Sequence, residues 1–233
     1  MGIGVEMRDQ LTAVTFNVRH GMGLDGIHDL GRTARVLREL TPDIAGLQEV
    51  DEGAERTGLE DQAAWLAEAL GMEVASAPAR GRRPHERVAL LSRFPLSETR
   101  SIWFWRGGVR GEPRGAVVAR VETTAGTMTC AAAHLSTRGR ERRRERRALS
   151  EMVAGLTGPV VLFLDANGAE LSPLEQSGLR PPPGEPVSTY PAAEPTQAVD
   201  WILTRPPLRH LMAARAVPCD ASDHLPLLAT LGC

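Results

Sequence analysis

The sequence predicts a single α/β domain spanning residues 1–233. Apolar strand-like runs alternate with helical periods along most of the chain, and no composition shift or internal repeat marks a boundary. In addition, acids, amides and histidines recur at the ends of the strand-like runs.

The composition is that of an ordinary globular protein, with 42% hydrophobic residues and a formal net charge of −2. All 27 basic residues are arginine, which a GC-rich coding bias explains as readily as phosphate binding. Three cysteines, Cys130, Cys219 and Cys233, are odd in number and lack CxxC spacing, which argues against a disulfide framework or a zinc knuckle. The first ten residues do not read as a secretion signal, and no apolar run of about 18 residues could span a membrane. A cytoplasmic enzyme or binding domain is the expectation.

Leu11 to Val18 alternates β-branched and aromatic residues and reads as the first strand, running into the glycine-rich loop GMGLDGIHDLG. Residues 32–40 carry apolar positions at helical spacing, and Thr41-Pro42-Asp43 ends that helix. Ile44 to Val50 is a short buried strand with Glu49 near its far end. A carboxylate there is costly unless it is paired or metal-bound. Asp61 to Leu70 is a second helix, closed by Gly71. A basic loop over 78–87 leads to a strand at Val88–Leu91, and 103–114 contains two glycine-rich turns. Strands follow at 115–122 and 127–135, the second ending at His134. The run RGRERRRERR continues into a helix on which Leu149, Met152, Val153 and Leu156 recur at helical spacing. Extending that stripe backwards puts Arg142 and Arg146 above Leu149 and Val153 with their heads toward a sheet edge, but the run reads most simply as a solvated face with Glu141 and Glu145 as partial relief. Val160 to Leu164 is a continuous apolar strand ending at Asp165, and 172–197 is a long irregular segment. Val199 to Leu203 is a strand containing Asp200, another lies near 211–217, and Leu225, Leu227 and Leu228 belong to the last.

Asn17, Glu49, His134, Asp165, Asn167, Asp223 and His224 thus sit at or just beyond strand ends, as catalytic groups do when a rigid sheet delivers them to one rim. Carboxylates without neighbouring lysine would repel one another unless a cation lies between them. Oxygen and amide donors without cysteine point to Mg2+ or Mn2+ rather than zinc.

TFNVRHG, LQEVD, ALLSRFP, HLS, LDAN, VDWIL and SDHLP, in that order and spacing, resemble the motifs of the endonuclease/exonuclease/phosphatase superfamily. The resemblance spans about Thr12 to Leu228. It implies a four-layer α/β sandwich, with two mixed β-sheets packed face to face and helices outside, and phosphoester hydrolysis by in-line attack of water. It also implies Glu49 as the principal metal ligand with Asn17 and Asp223 near the cation, and His224 as general base or acid oriented by Asp200. Asp165 would position or deprotonate the water, while Asn167 and His134 would hydrogen-bond the phosphoryl oxygens. The chain departs from the usual pattern at Ala166, where an aromatic is common, and at Arg87-Val88. Arg56 is a candidate for binding the anionic substrate. Asp25, Asp61 and Gln62 match positions often filled alike in compact bacterial members. His20, His28, His85 and His210 read as ordinary.

The expected partner is a phosphoester, either a small molecule or a lipid head group. A nuclease is the alternative, disfavoured by the slightly acidic balance, and a non-catalytic binding domain ranks third.

Overall fold

The computed structural model describes residues 10–80, 85–104, 114–123, 126–168 and 170–232. Most of the expected glycine-rich turns and the centre of the basic loop lie outside them. In chain order the elements are β1 (Gln10–Asn17), α1 (Leu30–Leu40), β2 (Ile44–Asp51), α2 (Gln62–Leu70), β3 (Glu73–Pro78) and β4 (Glu86–Ser92). They continue with β5 (Leu96–Trp103), β6 (Gly115–Thr123), β7 (Gly126–His134), α3 (Gly139–Ala154), β8 (Val160–Asp165) and α4 (Ser172–Gln176). The chain closes with β9 (Asp200–Arg205), β10 (Arg209–His210), β11 (Arg215–Ala216) and β12 (Leu227–Gly232).

These strands form two sheets. One has the order β10-β12-β1-β2-β4-β3, with β11 also on β12, and the other β5-β6-β7-β8-β9. Both are mixed: β1–β2 and β7–β8 pair parallel, and the remaining pairs are antiparallel.

Alternation along each strand assigns its two faces. In β1, Leu11 and Ala13 face the other sheet, whereas Val14 and Phe16 pack under α1 and α2. In β8, Val161 and Phe163 face the seam between the sheets, whereas Val160, Leu162 and Leu164 pack under α3 and α4. The order of layers is therefore helix, sheet, sheet, helix, the expected sandwich.

Helix ends follow local chemistry. Asp61 caps α2 by accepting from the Ala64 amide, and Gly71 closes it in the left-handed region at φ 65°.

Two strands, β3 and β5, were not anticipated. Both are sheet edges, and β5 exposes Glu98, Thr99, Arg100 and Ser101, so it lacks the buried apolar row that marks a strand. The strand expected near 211–217 is instead the two short pieces β10 and β11, and α4 lies inside the segment read as irregular.

The two sheets come together closely at Gly46, where a Cβ atom would stand 2.1 Å from Cβ of Phe163. Gly46→Ala should therefore destabilise the fold by about 1–3 kcal/mol through overpacking. The measurement is the urea midpoint, which should fall at unchanged slope.

Candidate active site

The seam rows of several strands end in polar residues at one rim. Asn17 follows Leu11 and Ala13 on β1, His134 follows Cys130 and Ala132 on β7, and Asp165 follows Val161 and Phe163 on β8. On β9, which runs antiparallel to β8, Asp200 precedes Ile202 and pairs with Asp165. All four side chains are buried.

Glu49 arrives differently. The β2–β4 register shifts between Gln48 and Val50, so Glu49 is the extra residue of a bulge, with φ 56°. The bulge leaves Val50 facing α1 and α2, and it frees Glu49 for the rim. A positive φ at a residue with a long side chain marks strain held at a site.

A cleft of about 370 Å3 is lined by Asn17, Glu49, His134 and Asp165 together with Asn167, Asp223 and His224, while Asp200 lies behind His224. Asn17 Nδ2 donates to Glu49 Oε1 at 3.2 Å and to Asp165 Oδ2 at 2.9 Å, bridging carboxylates from the two sheets. The Asn17 Oδ1 atom accepts from the Arg19 amide at 3.0 Å. Ser222 Oγ donates to the Asn17 carbonyl at 2.7 Å, which fixes the loop carrying Asp223 and His224. The Asn167 amide donates to Asp165 Oδ1 at 3.0 Å, and its side-chain Nδ2 lies 3.0 Å from His134 Nε2.

His224 Nδ1 lies 2.9 Å from Asp200 Oδ2, and the same oxygen accepts from Thr189 Oγ1 at 2.6 Å. The ring of Tyr190, the chain's one tyrosine, lies against the imidazole with centroids 4.8 Å apart.

Burial pushes the Asp165 carboxyl up to about 7, and repulsion from Asp200 adds to it. Burial alone would lower His224, but the hydrogen bond and charge of Asp200, with Asp165 and Asp223 behind, bring it up to about 9. His134 is held well below the usual imidazole range by burial and by the nearby Arg114 and Arg80, so it is neutral.

Ligand atoms of Asp165, Asp200 and His224 all lie within 4.8 Å of one another, close enough to hold an ion. However, Asp200 Oδ2 is already shared by His224 and Thr189, which suits this trio to holding a proton. Besides Asp165, Glu49 and Asp223 are hard-oxygen carboxylates at the cleft wall, and Asp223 also faces Arg19 at 3.5 Å. Their donor set fits a Mg2+- or Mn2+-type cation.

Arg56 is not brought to this cleft. It forms a bidentate pair with buried Asp51, at 2.7 Å for each bond, and lines another depression with His85 and Glu86. Asp25 pairs with Arg32, and Gln62 ties the Asp51 amide to the His20 carbonyl.

Arg142 corrects the reading of the basic run as wholly outside the site. It lines the cleft, and its Nη1 donates to the Asn167 carbonyl at 2.6 Å. Arg143, Arg144 and Arg147 remain on the exposed face. Arg80, Thr137, Tyr190 and Gln197 also line the cleft and were not singled out from the sequence. Tyr190 and Gln197 lie in a stretch with no periodicity to flag them, whereas the helical phase does place Arg142 over the sheet, and the preference for a solvated face is what fails.

The model of the Endonuclease/Exonuclease/phosphatase family matches residues 14–224. The chain belongs to that family. No match was found among curated proteins. Among solved structures, a family member from Beutenbergia cavernae has a TM-score of 0.77 at 20% identity, covering 96% of this chain and 71% of that one. A mannosyl-6-phosphatase from Bacteroides thetaiotaomicron gives 0.74 at 19% identity, covering 95% and 99%. The 2',3'-cyclic phosphatase ANGEL2, solved with adenosine-2',3'-vanadate, gives 0.72 at 15%, covering 95% of each chain. At these identities the likeness shows the family's fold.

Proposed function

We propose that this chain is a single catalytic domain that hydrolyses phosphoesters with a divalent cation. The observation that carries the reading is the convergence of Asn17, Glu49, His134, Asp165, Asn167, Asp223 and His224 on one cleft wall. Glu49, with Asn17 and Asp223 beside it, would hold Mg2+ or Mn2+. Such an ion supplies positive charge to the phosphoryl oxygens.

The chain's own residues do the rest. Asp200, fixed by Thr189, orients His224 through Nδ1 and leaves Nε2 for proton transfer. Asp165, held by Asn17 and the Asn167 amide, positions the water for in-line attack. Neutral His134 and the Asn167 side chain, whose Nδ2 lies 3.0 Å from His134 Nε2, would hydrogen-bond the phosphoryl oxygens as charge builds there.

The preferred substrate is a small molecule or lipid head group, a reading to which the mannosyl-6-phosphatase likeness lends support. Nuclease activity is the second reading, favoured by the arginines on the exposed face of α3. Among the described residues no helix is long and apolar enough to cross a membrane. The unpaired thiols of Cys130 and Cys219 fit a reducing compartment such as the cytoplasm.

Turnover of bis-p-nitrophenyl phosphate and p-nitrophenyl phosphate, set against plasmid nicking, tests the proposal. Hydrolysis of neither ester and no nicking under added Mg2+ or Mn2+ would reject it. Replacing Arg143 and Arg147 by glutamine should weaken retention on DNA as salt rises while leaving small-ester turnover intact. A collapse of turnover in the folded double variant would place the exposed face of α3 in the site.

A further inference from the structure

We propose that Arg142 reads the charge on the substrate, favouring a dianionic phosphomonoester over a phosphodiester. The inference rests on the phosphoesterase reading above and goes on to the substrate class.

Arg142 projects from the first turns of α3, and one nitrogen anchors it. Its Nη1 donates to the carbonyl of Asn167 at 2.6 Å and to that of Thr137 at 3.2 Å. These two carbonyls belong to the loops after β8 and β7, the same loops that carry the Asn167 amide and follow His134. The guanidinium is thereby fixed beside the donors that face a phosphoryl group, and it lines the cleft.

Three other arginines of the run face acids, Arg138 with Glu141, Arg146 with Glu170 and Arg147 with Glu151, whereas Arg140, Arg143 and Arg144 are exposed and do not line the cleft. Arg80, also in the cleft wall, pairs with Glu86 at 2.7 Å. Arg142 makes no ion pair with a carboxylate among the described residues, and Nε and Nη2 are not used by the two anchoring bonds.

A phosphomonoester presents three terminal oxygens and two negative charges, whereas a diester presents two and one. A cation held at Glu49 would take one oxygen, and the Asn167–His134 pair a second. A planar cation fixed beside that pair answers the third oxygen and the second charge. In a diester that third position carries a carbon substituent, which a guanidinium has no means of recognising.

The test is calorimetric titration with phenyl phosphate and diphenyl phosphate in Ca2+, a hard-oxygen stand-in for the proposed cation, at about pH 8, where the monoester is a dianion. The proteins are the wild type, Arg142→Ala, Arg142→Lys and the exposed control Arg147→Ala. The wild type should bind phenyl phosphate more tightly than diphenyl phosphate. Arg142→Ala should weaken phenyl phosphate by roughly 10- to 100-fold, the worth of a charged hydrogen bond, and should weaken diphenyl phosphate distinctly less. Arg142→Lys should recover part of the preference, and Arg147→Ala should match the wild type.

Equal weakening of both ligands would show that Arg142 only props the two loops, and would overturn the proposal. So would an unchanged preference, or a wild type that binds neither ligand. Turnover with Mg2+ tests hydrolysis separately. A charge preference without turnover of either ester would remove the hydrolase reading alone, and turnover without the preference would remove only the role of Arg142.

Discussion

Replacing His224 by alanine should lower kcat about 10²–10⁴-fold, the usual share of a general acid or base. Asp200→Asn should lose a comparable or smaller factor, because Asp200 acts through the 2.9 Å bond to His224 Nδ1. The double variant should fall little below the worse single one, since residues that work as a unit are not additive. Two independent roles would instead multiply the losses. Burial of Asp200 raises the alternative that its loss simply unfolds the site, so melting temperatures of all four proteins are the control. A drop in kcat without a matching drop in Tm supports the relay, and the reverse pattern assigns Asp200 to the scaffold.

Glu49→Gln should lower turnover roughly 10³-fold, because a cation contributes several kcal/mol of charge stabilisation and each 1.36 kcal/mol is tenfold. The substitution keeps the shape and the bond from Asn17 Nδ2, so the fold should persist. Calorimetric titration of the stripped protein with Mg2+ or Mn2+ should show weakened binding in Glu49→Gln and near-normal binding in Asp200→Asn. Full turnover by stripped enzyme in excess EDTA would remove the cation from the reaction. Tight Mg2+ binding by Glu49→Gln would move its site toward Asp165, Asp200 and His224, where a second cluster of ligand atoms lies.

Much of this architecture was legible because central strands write themselves plainly. VVLFLD is buried on both faces and is apolar until its last residue, so both the strand and the exceptional Asp165 stand out. Edge strands such as β5 have solvent on one side and carry no such signature. The same logic applies to the cleft. Asn17, His134 and Asp165 interrupt apolar rows, whereas Thr189 and Tyr190 lie among prolines and small residues, where nothing periodic is broken. Arg56 shows the opposite difficulty: its type suits an anion, but Asp51, five residues away, already occupies its fork. Whether an arginine is spoken for depends on a fold-brought partner, and spacing alone does not reveal it.

The bridge made by the Asn17 side chain has a consequence for how tolerant the enzyme is of change. Glu49 and Asn17 ride on one sheet, and His134, Asp165 and Asp200 ride on the other. Within either sheet, ladder hydrogen bonds fix spacing to a fraction of an ångström. Across the seam, alignment depends on side-chain packing, which attracts without preferring a direction. The cleft therefore behaves like the jaws of a calliper whose zero is set by Gly46 and Phe163. Volume changes in that layer would slide one jaw against the other, so Gly46→Ala should lower catalytic rate as well as stability, even under conditions where the variant is fully folded.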